Sequence, residues 1–257
     1  MNPALLWNFA RQEIVDRYAG SALGFAWAFV QPIVTLFIFV VIFGQIMGAR
    51  LPGHTNAYGY SIYLIAGMLP WLAFANTLSR TATVFQDKKG VLSKIGGLSL
   101  PTLPVFIVLA ESITFLISLG LFLAFLLVSQ QPVKPALLLL PWVFLIQQML
   151  ALGLGLILAV LHVFLRDVRE FTAILVQLWF WLTPIVWTPQ ALPPALYKLL
   201  LAINPVAPLI SAYHAMFVPG LTPDYNALTI TALLAGGVLA LGYVFVKRME
   251  KDVRDFL

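Results

Sequence analysis

Glu111 is the only ionisable side chain set clearly inside a long apolar run of this sequence, between Val105 and Val128. A carboxyl group at that depth has three uses: relaying a proton, contacting a polar cavity, or hydrogen-bonding a neighbouring helix. Secondary transporters driven by protons usually place several polar groups at the membrane midplane, and here there is one. Gln147, Gln148 and Gln177 are the other strongly polar residues in apolar surroundings, and their amides must find partners away from lipid, so they are expected to face the interior of a helix bundle. They serve either as interhelical hydrogen bonds or as contacts for a hydroxyl-rich substrate.

Hydrolytic chemistry has little support. A phosphate-cradling Gly-x-x-x-x-Gly-Lys-Ser/Thr loop is missing, and Gly90 to Gly97 is no substitute. There is no His-Glu-x-x-His pair, and His54, His162 and His214 do not assemble with a serine and an aspartate on one side. Cysteine is absent, which removes disulfides and thiolate chemistry.

Two charged segments remain. Gln86, Asp87, Lys88, Lys89, Gly90, Val91, Leu92, Ser93, Lys94 and Ile95 form the most polar internal stretch, yet Val91, Leu92 and Ile95 give it an apolar side that a purely solvated loop does not need. It reads as a solvated anchor or as a docking element for a cytoplasmic partner. Arg166, Asp167, Arg169 and Glu170 alternate in sign across a very short connection, either as simple stop signals or as a salt-bridge network holding helix ends.

The elements that carry these residues are membrane helices. Hydrophobic residues make up 61% of the 257 and charged ones only 10%, with a mean hydropathy of +0.95, so the apolar surplus must face lipid. Runs such as Leu36 to Phe43 are continuously apolar, which excludes the two-residue alternation of a membrane barrel. Six spans can be drawn: Phe25 to Met47, Tyr60 to Leu78, Val105 to Val128, Ala136 to Leu165, Phe171 to Trp187 and Ala227 to Val246. With both termini cytoplasmic, twelve of the fifteen basic residues lie inside, and only Arg50, Lys134 and Lys198 lie outside. The net charge of +5 therefore reflects topology, and its scatter among short loops argues against a nucleic-acid partner. No cleavable leader is apparent, so the first span is expected to act as the targeting signal.

Two further elements flank the spans. Residues 1–24 hold Trp7, Ala10, Ile14 and Tyr18 at helical intervals with Arg11, Gln12, Asp16 and Arg17 between them, the pattern of an interfacial helix. After Thr183 and Pro184, the stretches Ala195 to Ile203 and Val206 to Val218 are apolar but too short to cross, and prolines punctuate them. Two short re-entrant helices capping the outer face are expected there, a natural external gate. The aromatic residues, including Trp71, Trp181, Trp187 and Tyr213, read mostly as an interfacial belt, with a minority available to line a path for sugar rings.

Taken in order, Arg17, Tyr18, Ser21, Leu23, Gly24, Trp27 and Pro32 entering the first span, Arg166-Asp167-Val168 after the fourth, Gln177 to Pro184 in the fifth, and Asn204-Pro205 beyond it resemble one family. It is that of the permease subunits of bacterial polysaccharide ABC exporters, especially the O-antigen type, with capsule and teichoic acid permeases as relatives. The resemblance covers nearly the whole chain. It implies a single all-α permease domain over 1–257, in the bacterial inner membrane, pairing as a homodimer. It further implies two copies of a separate nucleotide-binding ATPase, which would hold ATP and Mg, while this chain binds no cofactor or metal. The substrate implied is an undecaprenyl-linked glycan. By the same resemblance, 86–95 (Gln86, Asp87, Lys88, Lys89, Val91, Leu92) is the coupling element. The helix bearing Trp7, Arg11, Arg17 and Tyr18 is the channel-entrance interface. The gate is the region 188–220, with Pro184, Trp187, Asn204, Pro205 and Tyr213. Glu111, Gln147, Gln177 and Trp181 are the candidate substrate path. The competing readings are export of a small lipid or drug, a membrane-embedded glycan-processing enzyme, which would need more than Asp224 outside, and a structural scaffold.

Overall fold

In lipid each backbone N–H and C=O must be satisfied within its own segment, which leaves helices as the only solution for these apolar runs. The computed structural model describes residues 3–48, 50–51, 58–92, 99–132 and 134–257, and among them there is helix and no strand. His54, Ser93, Lys94 and Ile95 lie outside the described residues, as does the side chain of Val91. The helices are α1 (Pro3–Tyr18), α2 (Trp27–Phe37), α3 (Gly59–Asp87), α4 (Lys89–Leu92), α5 (Val105–Val128), α6 (Leu140–Phe164), α7 (Val168–Leu182), α8 (Pro194–Ile203), α9 (Ala207–Phe217) and α10 (Tyr225–Phe256). Beyond Phe37, α2 continues through Ile38–Ile46 with the wider π-helical repeat, the Met47 amide donating to the Ile42 carbonyl at 2.8 Å.

Among the described residues five segments are long and apolar enough to cross a membrane: Gly24–Ile46, Gly59–Asp87, Leu100–Val128, Pro135–Phe164 and Tyr225–Phe256. Their burial ranks them. In α3, 83% of the apolar window is buried against 17% in the first span, so α3 is the central post and the first span is peripheral. Two apolar clusters divide the bundle by height. One gathers Ala10, Phe85, Leu92, Phe106, Val160, Val246 and Val253, and so collects α1 with the far ends of α3, α6 and α10. That end, which carries both chain ends, is called inner below. The other cluster joins Tyr63, Phe74, Phe122, Leu140, Ile146, Leu209, Tyr213 and Leu228 at the outer end.

The fifth expected span is not realised at the length drawn. The α7 helix stops at Leu182 after 15 residues, about 22 Å at 1.5 Å per residue, short of a hydrocarbon core of about 30 Å. Pro184 is the cause: the residue before a proline is pushed out of the helical region, and Thr183 is extended at φ −103°, ψ 135°. Two short apolar helices stand where the re-entrant pair is expected, with the bend of a broken span or a re-entrant loop. Helices α8 and α9 are apolar and bent by 111° across Asn204-Pro205-Val206.

Small residues set how closely the posts approach. A Cβ on Gly153 would lie 2.6 Å from the backbone nitrogen of Leu239, and one on Gly242 would lie 2.5 Å from the Gly153 carbonyl oxygen, so α6 and α10 touch backbone to backbone. Gly155 admits Thr81 of α3 in the same way. Dispersion between close backbones holds this three-helix core where lipid supplies no hydrophobic drive. Gly242→Leu is expected to lower the thermal midpoint in detergent clearly, whereas Gly237→Leu, where a Cβ meets open space, leaves it within experimental scatter.

Candidate functional site

A carboxylate on the buried face of α5 needs compensating charge, and two arginines reach it. Glu111 is 1% exposed. Arg17 of α1 donates to its Oε1 at 2.5 Å, and Arg80 of α3 donates to the same oxygen. Arg17 also reaches the Thr114 hydroxyl at 3.4 Å. Arg80 turns its second nitrogen to Glu13 Oε1, and Lys88 donates to Glu13 Oε2 at 2.8 Å. Five charges from three helices thus form one connected network. Burial pushes the Glu13 carboxyl up, but the Lys88 hydrogen bond and the charges of Arg80, Lys88 and Arg17 outweigh it and hold the group below its ordinary 4.5. Burial would lower Arg17, and Glu111 more than offsets it.

The network lies at the middle of a row of open clefts. A cleft of about 490 Å³ is lined by Glu13, Asp16, Arg17, Asn76, Arg80 and Glu111. Through Asn76 and Glu111 it joins a second, about 470 Å³, between α2, α3 and α5, whose mostly apolar lining from Trp27, Val34, Leu69 and Phe115 is interrupted by the polar groups of Gln31, Thr35, Thr114 and Ser118. Through Arg80 it joins a third, about 260 Å³, against α7, lined by Ser79, Thr83, Asp87, Arg169, Thr172 and Ala173. Together they make a trough. Its floor is the strip of α3 that the bundle leaves uncovered, Leu72, Asn76, Ser79, Arg80 and Thr83, at the spacing of one helical face.

The residues singled out from sequence divide accordingly. Glu111 lies in the trough and Arg17 binds it. Gln147 does not: it is fully buried between α3 and α6 and donates to the Pro70 carbonyl at 3.0 Å, within the α3 stretch that Pro70 deprives of one N–H. Gln148 is buried too. Gln177 corrects the expectation that all three amides face inward. It is exposed, because α7 packs mainly on α3 along one side and leaves its other side free. Ala173 in the trough, Gln177 and Trp181 follow at intervals of four along that helix, and Trp181 is exposed as well. Arg166, Asp167, Arg169 and Glu170 are exposed and make no ion pair among the described residues, which favours stop signals over a salt-bridge network there; the network lies at Glu13 and Glu111.

On α1, Ala10 is fully buried and Phe9 packs on Phe106 at 5.9 Å between ring centroids, while Trp7 and Arg11 are exposed. Tyr18 is half-buried against Phe25. In the segment where coupling is expected, Gln86 is half-buried, Asp87 accepts from the Thr83 hydroxyl at 2.6 Å, and Lys89 is exposed. Leu92 is turned into the inner cluster, so it is not on offer to a partner.

At the outer end Asn204 makes the corner of the bent pair. Its Oδ1 accepts from Trp179 Nε1 at 2.7 Å and from the Val206 amide at 3.0 Å, and its Nδ2 donates to Thr183 Oγ1 and the Leu182 carbonyl at 3.0 and 3.2 Å. One side chain therefore caps the start of α9 and the end of α7 together. Tyr63 donates across to the carbonyls of Pro184 and Trp187, and Trp187 donates to the Trp181 carbonyl. Pro205 sits at the corner, and Tyr213 is buried below it. Sequence reasoning missed Lys134, whose ammonium donates to the carbonyls of Ala215, Val218 and Leu221 at 2.6, 3.1 and 2.7 Å. It gives the end of α9 the positive cap that a helix C-terminus favours. Glu13 and Arg80 were missed too, although Glu13 with Arg17, and Asn76 with Arg80, stand four residues apart and share a face.

A helical bundle that crosses the membrane several times, with a polar trough along an uncovered face and a bent helix pair at its outer end, is a membrane permease by architecture. The chain belongs to the ABC-2 type transporter family, whose sequence pattern matches residues 4–218. It is 29% identical over 249 residues to the O-antigen export system permease protein RfbA of Myxococcus xanthus, covering 96% of this chain and 93% of that protein. A Klebsiella pneumoniae protein of the same name is 25% identical over 254 residues, 98% of this chain and 95% of its own. The polysialic acid transport protein KpsM of Escherichia coli is 22% identical over 247 residues, 93% and 91% of the two chains.

The Glu13 charge contributes stability that is fully present above its ordinary 4.5 and is lost as pH falls through its lower native value. Acidification below 4.5 is therefore expected to lower the thermal midpoint of the native chain more steeply than that of Glu13→Gln. A pair of melting series in detergent measures the difference.

Proposed function

We propose that this chain is the transmembrane subunit of an ATP-driven exporter that carries lipid-linked, O-antigen-like polysaccharide across the inner membrane. A homodimer would work with two copies of a separate ATPase that supplies ATP and Mg. The observation that carries the reading is the trough: an open, polar and aromatic strip along a permease aligned end to end with O-antigen export permeases. Two such strips facing each other would enclose a path whose hydroxyl, amide and ring surfaces suit a sliding glycan. A capsular polysaccharide is the second reading, favoured by the likeness to KpsM.

The topology supports six crossings. Helices α6 and α10 both run from the outer cluster to the inner one, so the chain must return between them, and α7 with the turn that follows it supplies that return. The two chain ends share the inner end, and the lopsided distribution of basic residues puts that end in the cytoplasm. Segment 86–95 then meets the ATPase through its exposed Asp87 and Lys89, with Leu92 anchoring it from within. Asn204 and Lys134 hold the outer gate.

Removing the chain from its parent bacterium is expected to abolish surface polysaccharide, and returning the chain with its ATPase restores it, read on lipopolysaccharide gels. Asn76→Trp, which fills the floor of the trough, is expected to cut the surface polymer by about tenfold or more, since a blocked path loses well over 1.4 kcal/mol of favourable passage. Undiminished polymer with Asn76→Trp would exclude the trough as the path.

A further inference from the structure

We propose that Glu13 is a positioning residue that joins the ATPase-docking segment to the substrate trough, with α1 acting as the lever between them. The proposal rests on the exporter reading above. Its basis is the division of labour within one carboxylate. Glu13 Oε2 accepts from Lys88, and Oε1 accepts from Arg80. Lys88 is the residue on which α4 is seated: the Leu92 amide donates to the Lys88 carbonyl at 3.0 Å, and the Lys88 ammonium stands 5.4 Å over the Phe106 ring. Arg80 is two turns further along α3 and holds Glu111 in the trough.

Four residues on, and on the same face of α1, Arg17 grips Glu111 from the other side. The lever thus has two grips. Glu13 seizes the docking end of α3, and Arg17 seizes the carboxylate of α5 that borders two of the three clefts. A displacement of α4 reaches the trough wall through charge pairs that are partly buried, where a pair is stiffer than at a fully wet surface. The apolar contacts of α1, Ala10 and Phe9 packed near Phe106, hold it to the bundle without reaching the trough lining.

Glu13→Gln and Lys88→Gln in the complex of this chain with its ATPase separate a lever from a mere staple. Both are expected to lower surface polysaccharide about tenfold while ATP hydrolysis by the extracted complex stays within about twofold, the loss that follows from leaving a hydrogen-bonded charge unpaired. Glu13→Asp, which keeps the charge, is expected to recover at least half of the export. Wild-type export in both glutamine variants would overturn the proposal. So would a parallel loss of hydrolysis, export and complex yield, the signature of stapling alone. Should Glu13→Gln fail to accumulate, Lys88→Gln decides, because it leaves the Glu13–Arg80 and Arg80–Glu111 pairs intact. Surface polysaccharide that persists without the chain would sink the exporter reading itself and not the lever.

Discussion

A carboxylate at the protein–membrane boundary must be surrounded by cations or it will not be tolerated there, and Glu111 organises this molecule through that demand. Breaking one partner of such a pair leaves a buried charge uncompensated, a cost of about 3–5 kcal/mol, so the helices bearing Arg17 and Arg80 are held in register with α5. The position of α1 along the bundle follows from this, and so does the uncovered strip of α3. Were Arg80 buried by a neighbouring helix, the trough would close where the cleft at Glu111 joins the one against α7.

Stiffness and openness are divided between two sides of α3. On one side α6 and α10 approach through Gly153 and Gly242 with no room for a side chain between them, and Gly155 of α6 takes in Thr81 of α3. On the other, α2 and α7 leave cavities along α3, and large apolar residues such as Phe29, Phe37, Ile174 and Leu178 stay exposed. A permease needs both: a frame that does not yield and a face that can part. The seam between α3 and α6 carries its own polar cost, since Thr77, Thr81 and Gln148 are buried without hydrogen-bond partners among the described residues.

What could be read from the sequence was local. Apolar run length gives the spans, and Pro184 and Pro205 act on their immediate neighbours, which is why the truncated α7 and the bent α8–α9 pair were legible before any coordinates. Arg17 and Glu111 each stood out alone, one by its place in an amphipathic helix and one by its depth. Their partnership did not, because it joins residues 94 positions apart on two different helices. Gln177 was misplaced by a sound rule applied to the wrong geometry. An amide avoids lipid, but a helix packed on one side only has an outward face that is not obliged to meet lipid if a second copy or a substrate stands there.

The charge cluster at 166–170 and the network at Glu13 draw on the same residue types and came out opposite ways. In the short connection the charges sit on exposed positions, where water competes for each one and a pair gains little. At Glu13 of α1 the partners, Arg80 and Lys88, come from α3 and its end, and Glu111 of α5 joins them through Arg80, so the partly shielded pairs constrain how three helices stand relative to one another. Alternation of sign along the chain is therefore a weak guide to a network. The better guide is a charge repeated at four-residue spacing on a helix that must lie against others, because only that arrangement offers two grips on a neighbouring element. By that criterion α1 is more than a membrane-surface element: its apolar side fixes where it lies and its charged side fixes what it holds.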